Sequence, residues 1–276
     1  MEENMNEEAL TADGQKDDDI DYVEDREELT EERIKDMLDA REYKELKEEL
    51  ETNMYPVDLA EILEEFDQKH MVLVFRLLAK EEAAETFSYM NSDMREDLIN
   101  ALTDSELEEI MEEMYLDDTV DVLEEMPANI VKKLLTNASP EVRRDINHLL
   151  RYPEDSAGSI MTVEYVDLKE NLTVNQAIER IRKVGLDSET INICYVLDAQ
   201  RRLVGTVALR YLLLMDGDEI IGDIMHENVI SINTLMDQEE VARQFKKYDF
   251  TAMPVVDNEN RLVGIITVDD IVDIIE

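Results

Sequence analysis

The sequence predicts an α+β protein, in which an N-terminal all-α superhelical domain is followed by two copies of a βαββα unit. The first observation is a repeat. Residues 160–214 and 224–275 read as the same unit, and repeats of this size indicate an architecture more strongly than any local pattern. The second is that no glycine lies between Gly14 and Gly158, while apolar residues there recur every three or four positions. This pattern favours helices over hairpins.

Each copy of the repeat has the same parts in the same order. A lead-in containing methionine comes first, and a short apolar run and an amphipathic helix follow. Two β-forming runs and a closing helix complete the copy. The lead-ins are residues 159–162 and 223–226, and the amphipathic helices are residues 175–184 and 237–248. The second β-forming run contains Arg-Leu-Val-Gly in both copies, at 202–205 and at 261–264. This order predicts two similar domains in tandem.

Helix start signals divide residues 29–150 into short helices. Thr103 and Glu106 form a capping box, in which each side chain can bond the backbone amide of the other. Ser139 provides a cap before Pro140, which suits the first position of a helix. Helices this short are not stable alone, so we expect them to pack in series as a superhelix. The predicted segments are 58–66, 69–78, 80–90, 92–101, 104–114, 117–126, 128–135 and 140–150.

The charge of the chain is strongly negative and unevenly spread. The formal net charge is −43, and residues 1–150 carry 46 acidic and 15 basic side chains. Residues 1–28 have few apolar residues, which predicts a disordered acidic tail. Because like charges repel, nucleic acid and an anionic membrane surface are poor partners for this chain, and cations are the expected counterions.

Other classes of protein are disfavoured by what the sequence lacks. Apolar runs such as Met71–Phe75 are far shorter than the roughly 18 residues that span a bilayer. Cys194 is the single cysteine, so the chain forms no internal disulfide, and we expect it in the core. The three histidines are scattered, and neither a glycine-rich phosphate loop nor a serine nucleophile motif is present. We therefore do not expect an enzyme.

Carboxylates are the candidate binding residues. Two groups begin short helices, a third lies in the first half of the helical region, and one residue precedes Phe250. The groups are Asp117, Asp118 and Asp121; Asp269, Asp270 and Asp273; Glu61, Glu64 and Glu65; and the single Asp249. Acidic residues at helix starts also act as caps and complement the helix dipole. On spacing alone that ordinary role stays open beside a metal site.

Two motifs carry a family resemblance. The second copy contains Tyr-Asp-Phe-Thr-Ala-Met-Pro-Val-Val-Asp at 248–257 and Arg-Leu-Val-Gly-Ile-Ile-Thr-Val-Asp-Asp at 261–270, and with the first copy it resembles a pair of CBS (cystathionine β-synthase) domains. The linker Arg-Tyr-Pro-Glu-Asp-Ser-Ala-Gly-Ser-Ile-Met-Thr at 151–162, with the acidic helices before it, resembles the cytosolic part of MgtE-type magnesium transporters. This likeness divides the chain into a helical N domain, 29–150, and a CBS pair, 151–276, with copies at about 160–220 and 224–276.

The resemblance implies a function. In that family the helical domain and the CBS domains meet through acidic surfaces with Mg²⁺ between them, which implies that the carboxylates named above sense Mg²⁺ and close a pore. It also implies a homodimer formed through the CBS domains and a transmembrane domain that follows them. We therefore expect this chain to be a soluble part of a longer cell membrane protein, on the cytoplasmic side.

A second ligand is implied for the CBS pair. Nucleotide-binding CBS domains use a Gly-h-h-Thr-x-x-Asp pattern, where h is apolar, and residues 264–270 of the second copy match it. The first copy has Ala208 and Tyr211 in place of Thr and Asp, so one site at most is expected. The residues expected to bind ATP are Tyr248, Phe250, Pro254, Thr267 and Asp270. A free-standing CBS protein that senses adenosine nucleotides is the alternative function, and a scaffold is a third.

Overall fold

The fold was analysed in a computed structural model. The structure describes residues 29–275, and within this range the side chains of Asp273 and Ile275 are left aside. The predicted acidic tail, residues 1–28, lies outside the described residues. The predicted α+β class is confirmed, because a helical region comes first and two small sheets with their helices follow.

Ten short helices form the first part of the described chain. They include every segment predicted above and two helices before them. The helices are α1 (Glu31–Ala40), α2 (Tyr43–Asn53), α3 (Pro56–Glu64), α4 (Gln68–Phe75), α5 (Lys80–Tyr89), α6 (Ser92–Ala101), α7 (Asp104–Glu113), α8 (Leu116–Glu125), α9 (Ala128–Asn137) and α10 (Pro140–Leu149). Helices two apart in the sequence pack on each other, α3 on α5, α5 on α7 and α7 on α9, while α4 contacts α6 and α8 contacts α10. This alternation gives the predicted superhelix.

Local capping sets the ends of these helices as the sequence predicts. The Thr103 hydroxyl accepts a hydrogen bond from the Glu106 amide at 3.3 Å, and the Glu106 carboxylate accepts one from the Thr103 amide at 2.7 Å. The Ser139 hydroxyl accepts from the Val142 amide at 3.3 Å before α10 begins at Pro140. Each cap satisfies an amide that the helix itself leaves without a partner.

Residues 165–275 form the two α/β repeats. Each has a three-stranded sheet whose first two strands are parallel and whose last two are antiparallel. The first repeat contains β1 (Tyr165–Lys169), α11 (Val174–Val184), a 3₁₀ turn (Gly185–Asp187), β2 (Thr190–Leu197), β3 (Leu203–Ala208) and α12 (Leu209–Leu212), and α13 (Ile221–Ile224) follows. The second contains β4 (Ile232–Asn233), α14 (Gln238–Tyr248), β5 (Ala252–Val256), β6 (Leu262–Thr267) and α15 (Val268–Ile275).

The lead-in of each repeat pairs with the sheet of the other repeat. Thr162 forms a bridge with Ile265 in β6, and His226 forms the matching bridge with Thr206 in β3. The bridge at Thr162 has two backbone hydrogen bonds, both of 2.9 Å. The order of the repeat along the chain predicts that each lead-in pairs with the copy that it precedes, and this prediction is wrong. The repeats are in fact exchanged at their edges, so neither sheet is complete without the other.

The helical region is joined to the second repeat by both core and backbone. One continuous cluster of buried apolar side chains runs from the N-terminal helices to Ile266 and Ile271. In the linker, the Ala157 amide donates to the Met236 carbonyl at 2.7 Å, and the Gly158 amide donates to the Thr234 carbonyl at 2.9 Å. The shared core and the linker therefore hold the helical region against the second repeat. None of the helices in the described part combines the length and apolar character needed to cross a membrane.

Candidate interdomain cation site

Helix α8 places three carboxylates at the junction between the helical region and the repeats. Its apolar residues, among them Val120 and Leu123, are buried in the helical core. Asp117 is 7% exposed, Asp118 is half-buried and Asp121 is exposed. Across the described residues, Asp117 is the one buried carboxylate and Arg95 the one buried cation. A carboxylate buried on a helix that faces another domain is unusual, because charged groups are buried only when something compensates for the lost hydration.

Helix α15 presents its own carboxylates at the same junction. One oxygen of Asp270 accepts hydrogen bonds from the amide of Thr267 at 3.1 Å and from its hydroxyl at 3.0 Å. These bonds cap the start of the helix and fix the orientation of the Asp270 side chain. Asp269 is exposed beside it. Asp273 lies in the same helix, but its side chain is outside those described.

The charges of the two helices act on each other. Burial raises the pKa of Asp117 well above its usual range, and the charges of Asp270, Asp118 and Glu189 add to the effect in that order. Asp117 belongs to the helical region and Asp270 to the second repeat, so this repulsion crosses the junction. Like charges held near one another in a poorly hydrated place disfavour the ionised state of each.

Two further carboxylates of the predicted groups show the same behaviour. Although Asp121 is exposed, partial desolvation raises its pKa to about 7, and the charge of Asp270 is the next cause. Desolvation also raises the pKa of Asp270 to about 6. The hydrogen bond that Asp270 accepts from the Thr267 amide lowers this pKa, and the charge of Asp269 raises it. Carboxyls with such pKa values hold protons near neutral pH, so a cation that binds them must displace those protons.

Glu189 of the first repeat belongs to the same cluster, and no sequence pattern predicts it. Burial raises its pKa to about 8, followed by the charges of Asp269, Asp270, Asp118 and Glu164. Its Oε2 atom is buried and has no hydrogen-bond partner among the described residues. Glu189 lies just before β2, and its amide donates to the carbonyl of Glu164 at 2.8 Å. It stands in no acidic run and on no helix, so spacing rules did not find it.

The remaining predicted carboxylates do not join this cluster. Glu61, Glu64 and Glu65 lie in or directly after α3 and are exposed, and Glu64 accepts a hydrogen bond from the Asn91 side chain at 2.9 Å. Asp249 is exposed at the end of α14, with a φ of 52°. None of these four is among the charges that raise the pKa of Asp117, Asp121, Asp270 or Glu189.

The donor set fits a hard cation that keeps part of its water shell. Carboxylate oxygens are the ligands that Mg²⁺ and Ca²⁺ prefer, and the orphaned Oε2 of Glu189 lacks the partner that a buried oxygen needs. Within residues 29–275, no group of three or more His, Cys, Asp or Glu side chains already has the arrangement of a metal centre. Direct contact with a single ion therefore requires some side chains to rotate, and water would complete the shell.

The residues expected to bind a nucleotide lie together at one end of the second sheet. Val268 donates to the Thr251 carbonyl at 3.0 Å, which holds the segment before β5 next to the start of α15. Tyr248 and Phe250 are stacked with ring centroids 5.7 Å apart, and each is 37% exposed. Pro254 and Thr267 are buried. The aromatic pair is thus on the surface rather than in the core, whereas the Asp270 carboxylate caps its own helix.

Comparisons with known proteins agree with this architecture. The MgtE intracellular N domain family matches residues 54–155, and the CBS domain family matches residues 221–276. The magnesium transporter MgtE of Thermus thermophilus is 39% identical over 242 residues, which are 86% of this chain and 53% of that protein. The magnesium transporter MgtE of Bacillus subtilis is 34% identical over 222 residues, 80% of this chain and 49% of that protein. The chain spans about half the length of these curated relatives.

Two solved structures are similar over nearly their whole length. A crystal structure of the soluble part of a magnesium transporter has a TM-score of 0.83 and 33% identity, and the match covers 89% of this chain and 96% of that one. A crystal structure of the cytosolic domain of the Mg²⁺ channel MgtE in complex with ATP has a TM-score of 0.82 and 38% identity, and covers 88% and 99%. The chain therefore belongs to the MgtE family of magnesium transporters, and its described part has the fold of that family's cytosolic region.

Proposed function

We propose that this region senses Mg²⁺ and controls the pore of a magnesium transporter, with the ion bound by carboxylates between the helical domain and the CBS domains. One observation carries the proposal: Asp117 on α8, Asp270 on α15 and Glu189 before β2 come from three parts of the fold and repel one another in a poorly hydrated place. Such an arrangement is unfavourable for the bare protein. It becomes favourable when a divalent cation neutralises the charges.

The proposed switch follows from this repulsion. With few cations present, the facing carboxylates favour separation of the helical domain from the CBS domains, because separated carboxylates regain water. A ligand shifts such an equilibrium only as far as its affinity differs between the two arrangements. Only the joined arrangement brings carboxylates of both domains to one place. Mg²⁺ at high concentration would therefore select the joined arrangement, which we assign to the closed pore.

The composition of the cluster suits a sensor rather than a store. Mg²⁺ dehydrates reluctantly and is usually held by one or two carboxylates together with water. A shell of this kind binds weakly, as a sensor of a plentiful ion requires. We assign the cluster to Asp117, Asp118, Asp121, Asp269, Asp270 and Glu189, whereas Asp273 stays a prediction from its place in the acidic run. Glu61, Glu64, Glu65 and Asp249 remain predictions from the resemblance, and the electrostatic interactions of the cluster lend them no support.

Calorimetric titration with MgCl₂ tests this assignment. Asp117→Asn combined with Asp270→Asn should abolish or strongly weaken the heat of Mg²⁺ binding, since both charges that face each other across the junction are lost. The control replaces two exposed carboxylates outside the cluster, Glu48→Gln and Glu112→Gln, which removes the same charge. If both double variants bind Mg²⁺ like the unchanged protein, the assigned site is wrong.

ATP is proposed as a second ligand of the same region. The stacked pair of Tyr248 and Phe250 offers an exposed aromatic surface for a base, next to Thr267 and Asp270, which match the ribose-binding pattern. A relative solved in complex with ATP supports the proposal. Because Asp270 also belongs to the carboxylate cluster, the two ligands would act on one side chain. The alternative function, a free-standing nucleotide sensor, would be favoured by two results together. The protein would bind ATP less tightly after Phe250→Ala, and it would give no response to Mg²⁺.

Assembly and location are proposed by likeness to the family. We propose a homodimer formed through the CBS domains, attached to a transmembrane domain and lying on the cytoplasmic side of the cell membrane. The closing helices α12 and α15 would supply apolar residues to that interface, but their Leu212 and Ile271 are buried within the chain and are not available. Leu213 and Leu214 remain 67% and 80% exposed, and Val272 is 49% exposed. Exposed apolar residues at the closing helices support a second copy as the partner.

A further inference from the structure

Arg95 on α6 is the buried cation of the described helical region, and its guanidinium donates hydrogen bonds to two other helices. Its side chain is 9% exposed. Its Nε donates to the Phe87 carbonyl at 3.2 Å and its Nη2 donates to the Ser88 carbonyl, both near the end of α5. Its Nη1 donates to Oε2 of Glu125 on α8 at 2.7 Å. One guanidinium thus joins three helices, which its planar fork of donors allows and a lysine ammonium does not.

The acceptor Glu125 is the last residue of α8, the helix that carries the N-domain carboxylates. It also accepts a hydrogen bond from the Ser92 hydroxyl at 3.2 Å. Residues three or four apart on a helix share a face, so Asp118, Asp121 and Glu125 form one acidic face. Asp117 lies near one end of the helix and Glu125 at the other. Apolar packing holds the buried side of α8. Among the described residues, the ion pair that anchors the last turn of this helix is the one between Glu125 and Arg95.

We propose that Arg95, through Glu125, is a positioning residue for the interdomain Mg²⁺ site, which fixes the direction of α8 so that Asp117 and Asp121 meet the carboxylates of the CBS domains. The inference rests on the proposed function. Groups outside a metal shell that orient its ligands commonly change metal affinity by tenfold or more when removed. A weak, partly hydrated site depends heavily on such orientation, because each ligand contributes little by itself.

Removing Glu125 could change Mg²⁺ affinity either by releasing α8 or by removing a nearby negative charge. Glu124 and Glu125 on α8 allow these two effects to be distinguished. Glu124 and Glu125 are both exposed at the end of the helix, and the charges of both raise the pKa of Asp121, in that order. Glu125 is bound to Arg95, whereas no described contact joins Glu124 to it. Glu125→Ala and Glu124→Ala each remove one charge near Asp121, but only the first breaks the contact with Arg95.

The experiment is a Mg²⁺ titration of the full chain at constant ionic strength, followed by the radius of gyration from small-angle scattering. Glu125→Ala should raise the Mg²⁺ midpoint about tenfold, while Glu124→Ala should change it by at most about twofold. Arg95→Met should act like Glu125→Ala, and Arg95→Lys should lie between Arg95→Met and the unchanged protein. Thermal denaturation in EDTA is recorded for each variant.

The outcomes separate this inference from the function on which it rests. If the unchanged protein shows no Mg²⁺ transition, the proposed function and the inference both fail. If the unchanged protein responds and Glu125→Ala has the midpoint of Glu124→Ala, Arg95 does not position the site, and the inference alone is overturned. The inference is also overturned if Glu125→Ala lowers the thermal midpoint but leaves the Mg²⁺ midpoint unchanged, because the contact with Arg95 then serves stability only. Should Arg95→Met not fold, the exposed Glu125→Ala decides.

Discussion

Asp117 on α8 and Asp270 on α15 lie in different domains, and after burial the charge of Asp270 is the largest cause that raises the pKa of Asp117. The joined arrangement of this protein therefore contains an electrostatic repulsion at its domain junction. Other interactions across the junction offset this repulsion. They are the shared apolar core and the backbone hydrogen bonds of the linker to residues 234 and 236. We propose that a cation acts at this junction.

Removing the charge of Asp117 should stabilise the protein without Mg²⁺. Asp117→Asn keeps the shape of the side chain and an oxygen that can accept the hydrogen bond from the Asp118 amide, but it removes the repulsion from Asp270. In EDTA, the free energy of unfolding should rise by something on the order of 1 kcal/mol. The further stabilisation by added Mg²⁺ should shrink. Thermal denaturation with and without Mg²⁺ measures both, with Glu112→Gln as the control. A destabilised variant in EDTA would show that the carboxylate of Asp117 is not repelled.

Stability without divalent cations should fall as the pH rises from about 5.5 to 8. The carboxyls of Asp270, Asp121 and Glu189 have pKa values of about 6, 7 and 8 in the folded protein, above the ordinary value of about 4. Raised pKa values mean that the folded state holds protons that the unfolded state has released. The resulting stabilisation is complete below a pH of about 4 and is lost as the pH passes through the folded values.

Thermal midpoints in EDTA at several pH values measure this slope. The variant that combines Asp121→Asn, Glu189→Gln and Asp270→Asn serves as the control, and its midpoint should vary less over the same window. A midpoint that rises with pH in the unchanged protein would contradict the assigned pKa shifts.

Replacing Gly264 and Gly205 by alanine should destabilise the protein to different extents, because each glycine lies against the lead-in of the other repeat. A Cβ at Gly264 would lie 2.6 Å from Sδ of Met161 and 2.7 Å from the backbone oxygen of Thr162. A Cβ at Gly205 would meet only the side chain of Met225 among its three nearest atoms, at 2.5 Å from Sδ. Methionine can move aside, whereas Thr162 is held by its hydrogen bonds to Ile265.

Gly264→Ala should therefore cost about 2–3 kcal/mol of unfolding free energy and Gly205→Ala about 1 kcal/mol. Urea denaturation of the two variants side by side gives the difference. Equal costs would mean that the backbone at Thr162 yields as easily as a methionine side chain, and that the exchanged edge is not rigid.

The closing helices should hold two copies together. Leu213→Glu with Leu214→Glu places charges on the most exposed apolar residues after α12 without touching the buried Leu212. We expect the unchanged protein to sediment as a dimer at micromolar concentration and the variant as a monomer. Leu186→Glu, at a residue that is 96% exposed on the 3₁₀ turn after α11, is the control. A dimer in both variants would place the interface elsewhere.

The sequence predicted what local rules and the repeat determine. The capping box at Thr103 and the helix limits follow from hydrogen bonds within a few residues, and the order of the repeat indicated two similar sheets. The exchange of lead-ins was missed because a repeat read along the chain assigns Met161 to the copy that follows it. In the fold its partner, Gly264, lies a hundred residues away.

The cluster was predicted only in part for a related reason. Asp117, Asp121 and Asp270 were found because each lies at or near the start of a helix within an acidic run. Glu189 was missed because its place is set by the pairing of β1 with β2 and by the packing of three separate segments. Glu61 and Glu64 looked equivalent to the others in spacing, yet they lie on a different surface, where solvent hydrates them. Spacing shows which residues share a helix face and not which faces meet.

The most direct test of the account is small-angle scattering of the full chain in EDTA and at millimolar Mg²⁺, with the ionic strength held constant by a monovalent salt. Screening alone would weaken surface repulsion, so this control separates binding from salt. The account predicts a smaller radius of gyration with Mg²⁺ in the unchanged protein. The variant that combines Asp117→Asn and Asp270→Asn should be compact already and change little. An unchanged radius in the natural protein, or an equal decrease in both proteins, would contradict the claim that Mg²⁺ bound by these carboxylates joins the domains.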